Sequence, residues 1–305
     1  MCLKPKLDYE SDDFQRLEEK VKAKQQEIKP LTDKAKERIR LELAIIKKTN
    51  TGKVLLLYDD IMSHLKELGA VFHGIMHCSY VCYLLGLTKV NPLDYNLPFE
   101  RYYNEKRRVL PLLNIAVPRG QKENALLILR EAYAPMKISA IMDGENRYAF
   151  SNGESDLTEE DCYRQKLYTF ILEEAEIKEY RHFTDEEIYQ KALEYFSLHS
   201  RPLLRRYQGD KQVEKIFSKT DGRYMHQEQF FEICTQILGV SNRQADEYRR
   251  ALAFRKREDR DAIKQFFGWK LDEDGAGLFD YIDSGHIYAV SKAYSIGLLF
   301  LDLQP

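Results

Sequence analysis

The residues that could do chemistry in this chain fall into three groups. His73, His77, Cys78 and Cys82 are spaced H-x3-H-C-x3-C, and ligands four apart on a helix can bind zinc. The competing reading is that small thiols fill a core. It is favoured, because His73 falls in a turn before the helix expected from His77 to Cys82, and no metal site is expected. The second group is defined by what it lacks. The run Val109 to Val117 follows a loop punctuated by Pro, Asp and Asn and has the apolar character of a strand central to a sheet, a common place for catalytic carboxylates. Between Arg108 and Arg119 there is neither Asp nor Glu. The third group is cationic: Arg249, Arg250, Arg255, Lys256 and Arg257 lie on one helix and its C-terminal exit. Arginine suits phosphate through its bidentate fork. Pairing within the helix to Asp246, Glu247, Glu258 and Asp259 explains the same residues equally well. His286 stands alone, as a contact or as a cap at a helix start.

The elements that must position these groups are mostly helices. "DDFQRLEEKVKAKQQEI" and "TDKAKERIRLELAIIKK" read as charged helices separated at Pro30, the second opened by Thr32 or Asp33. "GKVLLLYDD" reads as a strand, followed by a helix through "IMSHLKELG", a strand and turn at "AVFHG", and a helix at "HCSYVCYLLGL". "QKENALLILREAYA" reads as a helix and "KISAIMD" as a strand, which gives a mixed sheet with helices on it. From Leu157 onward nearly everything reads as helix, and the architecture changes near Gly153.

With 305 residues, 44% hydrophobic and 31% charged, the chain is long enough to bury a core. No 18-residue apolar span and no secretory signal is visible, and five cysteines without framework spacing fit reduced thiols. A cytoplasmic protein without a membrane partner is expected. Net charge is only −2, but Ser151 to Gln190 holds 12 acidic and 4 basic residues, and Arg201 to Lys270 holds 16 basic and 10 acidic. Solvated helical faces of opposite sign account for this. A basic C-terminal half also suits a phosphate-rich partner.

The order of three segments adds a family resemblance. Arg38 to Asn104 resembles the palm of the bacterial C-family DNA polymerases, the polymerase III alpha subunits. "GRYMHQEQFFEICTQILGVSNRQADEYRRALAFRKRED" resembles part of their fingers, through Gln227-Glu228-Gln229, Ala245-Asp246 and Arg249-Arg250-Ala251. "SGHIYAVSKAYSIGLLFLDLQP" is similar to a fingers helix of the family, with His286 retained and Ser284 and Gly285 in place of a lysine and a serine. Together these cover about half the chain. The resemblance implies a helix-rich α+β protein with a polymerase-β-like nucleotidyltransferase palm, a mixed sheet and a helical fingers-like region. The expected layout is a helical segment at 1–37, a palm-like α/β domain at 38–152, an acidic helical connector at 153–200 and a fingers-like domain at 201–305. It looks like palm and fingers without the rest of a much larger polymerase.

In that family a Gly-Ser turn holds the triphosphate, and three aspartates bind two Mg²⁺ ions, whose hard charge requires carboxylate oxygens. Two of the aspartates alternate after a proline. Here that proline is Pro111, and the two positions are Leu112 and Asn114. Of the phosphate turn Gly74 and Ser79 remain, with Ile75, Met76, His77 and Cys78 adding bulk between them. No third aspartate is evident between Asn152 and Phe183. The chain therefore reads as a catalytically inactive relative without a cofactor, its strand at 109–117 central and Leu112 buried. Its expected partner is DNA, single-stranded or primed, or a replication or repair protein. Arg249, Arg250, Arg255, Lys256 and His286 are the expected contacts to nucleic acid or nucleotide. The alternative is a small Mg²⁺-dependent nucleotidyltransferase with relocated ligands, for which Asp94, Asp143 and Glu145 are the nearest acids.

Overall fold

The structure is a computed structural model that describes residues 12–28, 30–106, 112–142, 146–151, 157–165, 167–254 and 257–303. Chain contacts divide it into two compact units, Met1–Tyr180 with Phe300–Pro305, and Arg181–Leu299. It is a helix-rich α+β protein with one mixed sheet.

The first unit opens with three helices, α1 (Asp13–Glu27), α2 (Asp33–Thr49) and α3 (Gly52–Leu65). Thr32 caps α2 by accepting from the Ala35 N–H at 3.2 Å, as its sequence position predicts, and Asn50 closes it in the left-handed region at φ 57°. The run "GKVLLLYDD", expected as a strand, is the start of α3. Val54, Leu55, Leu56, Leu57, Tyr58, Ile61 and Leu65 are all buried. A helix covered on most sides needs no polar face, so its sequence loses the 3.6-residue period and looks like a buried strand. Packing of α1 against α3, with Leu17 and Val21 fully buried, brings the N-terminal segment into this unit.

The sheet follows. Strand β1 (Val71–His73) leads into a tight turn at Gly74–Cys78 and the short helices α4 (Tyr80–Leu84) and α5 (Phe99–Tyr102). Next come β2 (Leu113–Pro118), α6 (Lys122–Ala132), β3 (Lys137–Ala140), β4 (Arg147–Ser151), α7 (Glu159–Gln165) and β5 (Thr169–Ile177). The strand order is β1-β2-β5-β4-β3, with β2 and β5 parallel and the other pairs antiparallel. One face carries Phe72, Leu113, Ile115, Phe150, Phe170 and Leu172, all buried. Tyr58 of α3 meets Phe72 at 6.4 Å between ring centroids, and Tyr133, just past α6, meets Phe150 at 5.1 Å. Each aromatic pair adds roughly 0.5–1.5 kcal/mol beyond its buried area.

The expected acidic helical connector at 153–200 is corrected by β5. This nine-residue strand pairs with both β2 and β4, so the chain returns to the sheet after Gly153 and the unit boundary falls at Tyr180. Its sequence, TFILEEAEI, hides this through acids on both faces, which break the apolar alternation of a half-buried strand.

The second unit contains α8 (Asp185–Leu198), α9 (Lys211–Phe217), α10 (Gln227–Glu232), α11 (Asn242–Phe254), a helical run α12 (Arg257–His286) and α13 (Lys292–Phe300), which ends at the boundary. The last strand, β6 (Leu301–Leu303), pairs with β5 in the first unit's sheet. A straight helix of 30 residues would be about 45 Å long. Yet Lys264 Nζ lies 2.7 Å from Asp280, Arg260 pairs with Asp283, and the Phe267 and Phe279 rings are 5.7 Å apart. The run therefore folds back on itself, burying Phe267, Leu278, Phe279 and Ile282 with Phe230 and Leu252. Among the described residues no helix is long and apolar enough to cross a membrane.

Candidate functional site

The face of β2 opposite the aromatic core is where the missing carboxylates would stand. Pairing places Asn114 beside His73 of β1 on one side and Ile171 of β5 on the other. Two residues along, Ala116 stands between Val71 and Glu173. Leu112 precedes the strand and is half-buried, not buried as expected, because β2 begins only at Leu113, and residues 107–111 lie outside the described part. Leu112, Asn114 and Ile171 thus offer one amide and two hydrocarbon side chains. Glu173, missed in the sequence, is the one carboxylate that the described strand pairings bring to this end of the face. Its Oε2 is 3.3 Å from the buried His73 Nε2. Neither that nitrogen nor the sequestered Oδ1 of Asn114 makes a hydrogen bond.

Gly74 opens the turn with φ +81°, and a Cβ there would come within 2.7 Å of Asn114 Nδ2. Glycine is needed for its backbone conformation and for this close approach. Ser79 caps α4 by accepting from Cys82 N–H at 3.1 Å and donates to Glu42 at 2.7 Å. The fully buried Glu42 carboxylate also accepts from the Tyr80 and Val81 N–H groups at 2.8 and 2.9 Å. Arg38 donates to Glu42 at 2.7 Å and holds the Cys78 and Leu97 carbonyls at 2.6 and 2.7 Å. The first N–H groups of a helix suit an anion, and an internal carboxylate already occupies them here.

The histidine and cysteine constellation does not assemble. His77 Nδ1 lies 2.5 Å from Thr88 Oγ1, and burial lowers its pKa to about 3. Burial pushes the Cys82 thiol up to about 12, away from the thiolate a metal would need. Cys78 lies in the turn before α4 and Cys82 within that helix. Among the described residues no three His, Cys, Asp or Glu side chains are arranged to hold a metal ion. Asp94 sits in an exposed turn and accepts from Asn91 at 3.0 Å, while Asp143 and Glu145 lie outside the described residues.

In the second unit the cationic candidates separate. Arg249 is only 7% exposed and is tied to the buried Asp246, 2.8 Å from Nη2, so its guanidinium neutralises a neighbour within its own helix. Arg250, next in sequence, is half-buried, with its guanidinium 5.9 Å from the Phe254 ring centroid. Arg255 and Lys256 lie outside the described residues. His286 is the last residue of α12, not the start of a helix, and is 2% exposed. Its Nδ1 is 2.8 Å from Tyr224 Oη and its Nε2 2.9 Å from the Arg249 carbonyl, which fixes the ring between α11 and the loop before α10. Arg249 was expected as a contact because its type suits phosphate, and His286 because it is retained from the family's fingers helix. Their burial removes them from the surface.

Comparison with known proteins fits this architecture. A profile described as the bacterial DNA polymerase III alpha NTPase domain matches residues 14–194, more than half of the chain. The chain belongs to this family. A second profile, the bacterial DNA polymerase III alpha subunit finger domain, matches residues 186–275. The DNA polymerase III subunit alpha of Bacillus subtilis (strain 168) is 30% identical over 108 residues, which are 34% of this chain and 10% of that protein. That of Halalkalibacterium halodurans is 29% identical over 114 residues, 36% of this chain and 10% of that protein. The matched stretch thus spans about a tenth of these polymerase III alpha relatives.

The Mg²⁺ pair implied by the polymerase III alpha resemblance does not fit the described residues of this face. Mg²⁺ takes hard oxygen ligands at about 2.0–2.1 Å in octahedral geometry, and the Leu112, Asn114 and Ile171 positions supply a single neutral oxygen. Glu173 alone would leave both ions short of hard anionic ligands.

Proposed function

We propose that this polymerase III alpha family member has a palm-type sheet without nucleotidyl-transfer activity, and that it binds DNA through the basic second unit. The observation that carries the first part is the Leu112, Asn114 and Ile171 face. Two-metal transfer needs carboxylates on both ions, to activate the attacking hydroxyl and to neutralise the leaving pyrophosphate. Glu42 adds to this reading, because the helix start that would receive phosphate already holds an anion.

The second part rests on charge. Lys and Arg neutralise phosphate and release counterions without reading bases. Burial of Arg249 and His286 leaves Arg250, Arg255 and Lys256 to carry the contact. The expected binding is weak, sequence-independent and steeply salt-dependent, to single-stranded or primed DNA in a replication or repair setting.

Primer extension tests the first part: no nucleotide is incorporated with Mg²⁺ or Mn²⁺. Incorporation that Glu173→Gln abolishes would establish the alternative, an enzyme with relocated ligands. Titration of labelled primed DNA at two salt concentrations tests the second. The triple variant R250A/R255A/K256A should weaken binding equally for all sequences and flatten the salt slope. Unchanged affinity would remove this helix from the interface, and no binding at low salt would point to a protein partner instead.

A further inference from the structure

We propose that His73, Asn114 and Glu173 form a site for one divalent cation that accepts imidazole, with zinc as the reference ion. The inference does not depend on DNA binding or on loss of catalysis. Its starting point is a distance. His73 Nε2 and Glu173 Oε2 are 3.3 Å apart yet are not aligned as a hydrogen bond. Ligands about 2.0–2.1 Å from a tetrahedral zinc ion lie about 3.3–3.4 Å from one another, so the pair spans one edge of such a tetrahedron.

The third donor comes from the sheet pairing. Asn114 faces His73 directly across β1 and β2, and its Oδ1 is sequestered without a hydrogen-bond partner. Two buried polar atoms that make no hydrogen bond, His73 Nε2 and Asn114 Oδ1, are thus held on one face by adjacent strands. Such atoms are rare in folded proteins, because each lost hydrogen bond costs about 1–3 kcal/mol. A cation satisfies both atoms together. Glu173 supplies the negative charge, and its side chain is 31% exposed, which gives the ion and a completing water a route in. Imidazole, amide and carboxylate form a mixed nitrogen and oxygen set that suits zinc, and a lone carboxylate is a poor set for Mg²⁺.

The test uses the full chain after chelator treatment. Titration with zinc chloride should show one equivalent bound, retained in a hundredfold excess of Mg²⁺. Cobalt(II) in its place should give the visible absorption of a tetrahedral centre, a readout that needs no variant. E173Q should weaken zinc binding about tenfold or more while leaving the melting temperature of the metal-free protein unchanged. His64→Gln is the control, since His64 Nε2 lies 3.7 Å from Asp60 and forms a competing exposed pair. It should retain the full affinity. The proposal is overturned if the folded chain takes up no stoichiometric zinc, if Mg²⁺ displaces it on equal terms, or if binding survives E173Q undiminished.

Discussion

Each unit contains a buried glutamate at the start of a helix, and the two differ in one respect. In the first, Glu42 accepts from Ser79, Tyr80 and Val81 and is paired with Arg38. In the second, Glu228 accepts from the Ser291 hydroxyl and the Lys292 N–H, both at 2.6 Å, at the start of α13. Both use a serine hydroxyl and helix N–H groups to hold an anion. Only Glu42 is also locked by an arginine that ties together two further carbonyls. The architecture around the Gly74–Ser79 turn is therefore kept by an internal ion pair, beside a sheet face on which Asn114 and Ile171 carry no acid. Scaffold and chemistry separate because different atoms serve them.

The comparison breaks most sharply at the glutamates. Glu42→Gln leaves the Arg38 charge without its carboxylate and should cost about 3–5 kcal/mol in urea unfolding. Glu228→Gln keeps a neutral acceptor for only one of the two donors, leaves no buried cation unpaired, and should cost about 1–3 kcal/mol. Equal losses would show that Arg38 adds nothing.

Acid comes next. Burial lowers the pKa of His226 to about 4, with Glu228 opposing and Lys292 adding to the shift, and that of His77 to about 3, with His73 adding to it. Folded-state values below the unfolded value of about 6.5 mean that the unfolded chain binds more protons. Stability is therefore full above pH 6.5 and falls as the pH drops towards the folded values, by up to about 1.4 kcal/mol per pH unit for each histidine. Between pH 6.5 and 4.5, His226→Gln should flatten the slope by one histidine, measured by denaturation in matched buffers.

Smaller still is the turn. Gly74→Ala places a side chain at φ +81° and should cost about 1–2 kcal/mol from the backbone alone. In an Asn114→Ala background only the part due to the 2.7 Å contact should disappear, which a double-mutant cycle measures. Smallest is Arg250→Ala, expected within about 0.5 kcal/mol of the parent in thermal unfolding. Arg249→Ala strands a buried aspartate and should cost several times more.

Much of the fold was legible. Helices α1, α2 and α6 have charged faces, α2 has its Thr32 cap, and β3 has its short apolar run, so local pattern sufficed. The helix α3 was misread because a helix covered on most sides and a buried strand share one composition. Strand β5 was missed because its partners are about 25 and 55 residues away in sequence, and acids on both of its faces hide the alternation. In the candidate site the lack of acids at Leu112 and Asn114 was readable as residue types. Ile171 and Glu173 were not, since only the register of a parallel neighbour brings them beside β2.

The sequence by itself determined family membership, the absence of acids from Arg108 to Arg119, and the basic character of residues 201–270, because these depend on residue identity and order along the chain. Only the tertiary structure decided which charges are available. Arg249 and Arg250 are adjacent and chemically identical, yet one neutralises a buried aspartate and the other reaches the surface. Removing water from one side of a helix makes a charge there costly unless it is paired, and which side is dry depends on what the rest of the chain packs against it.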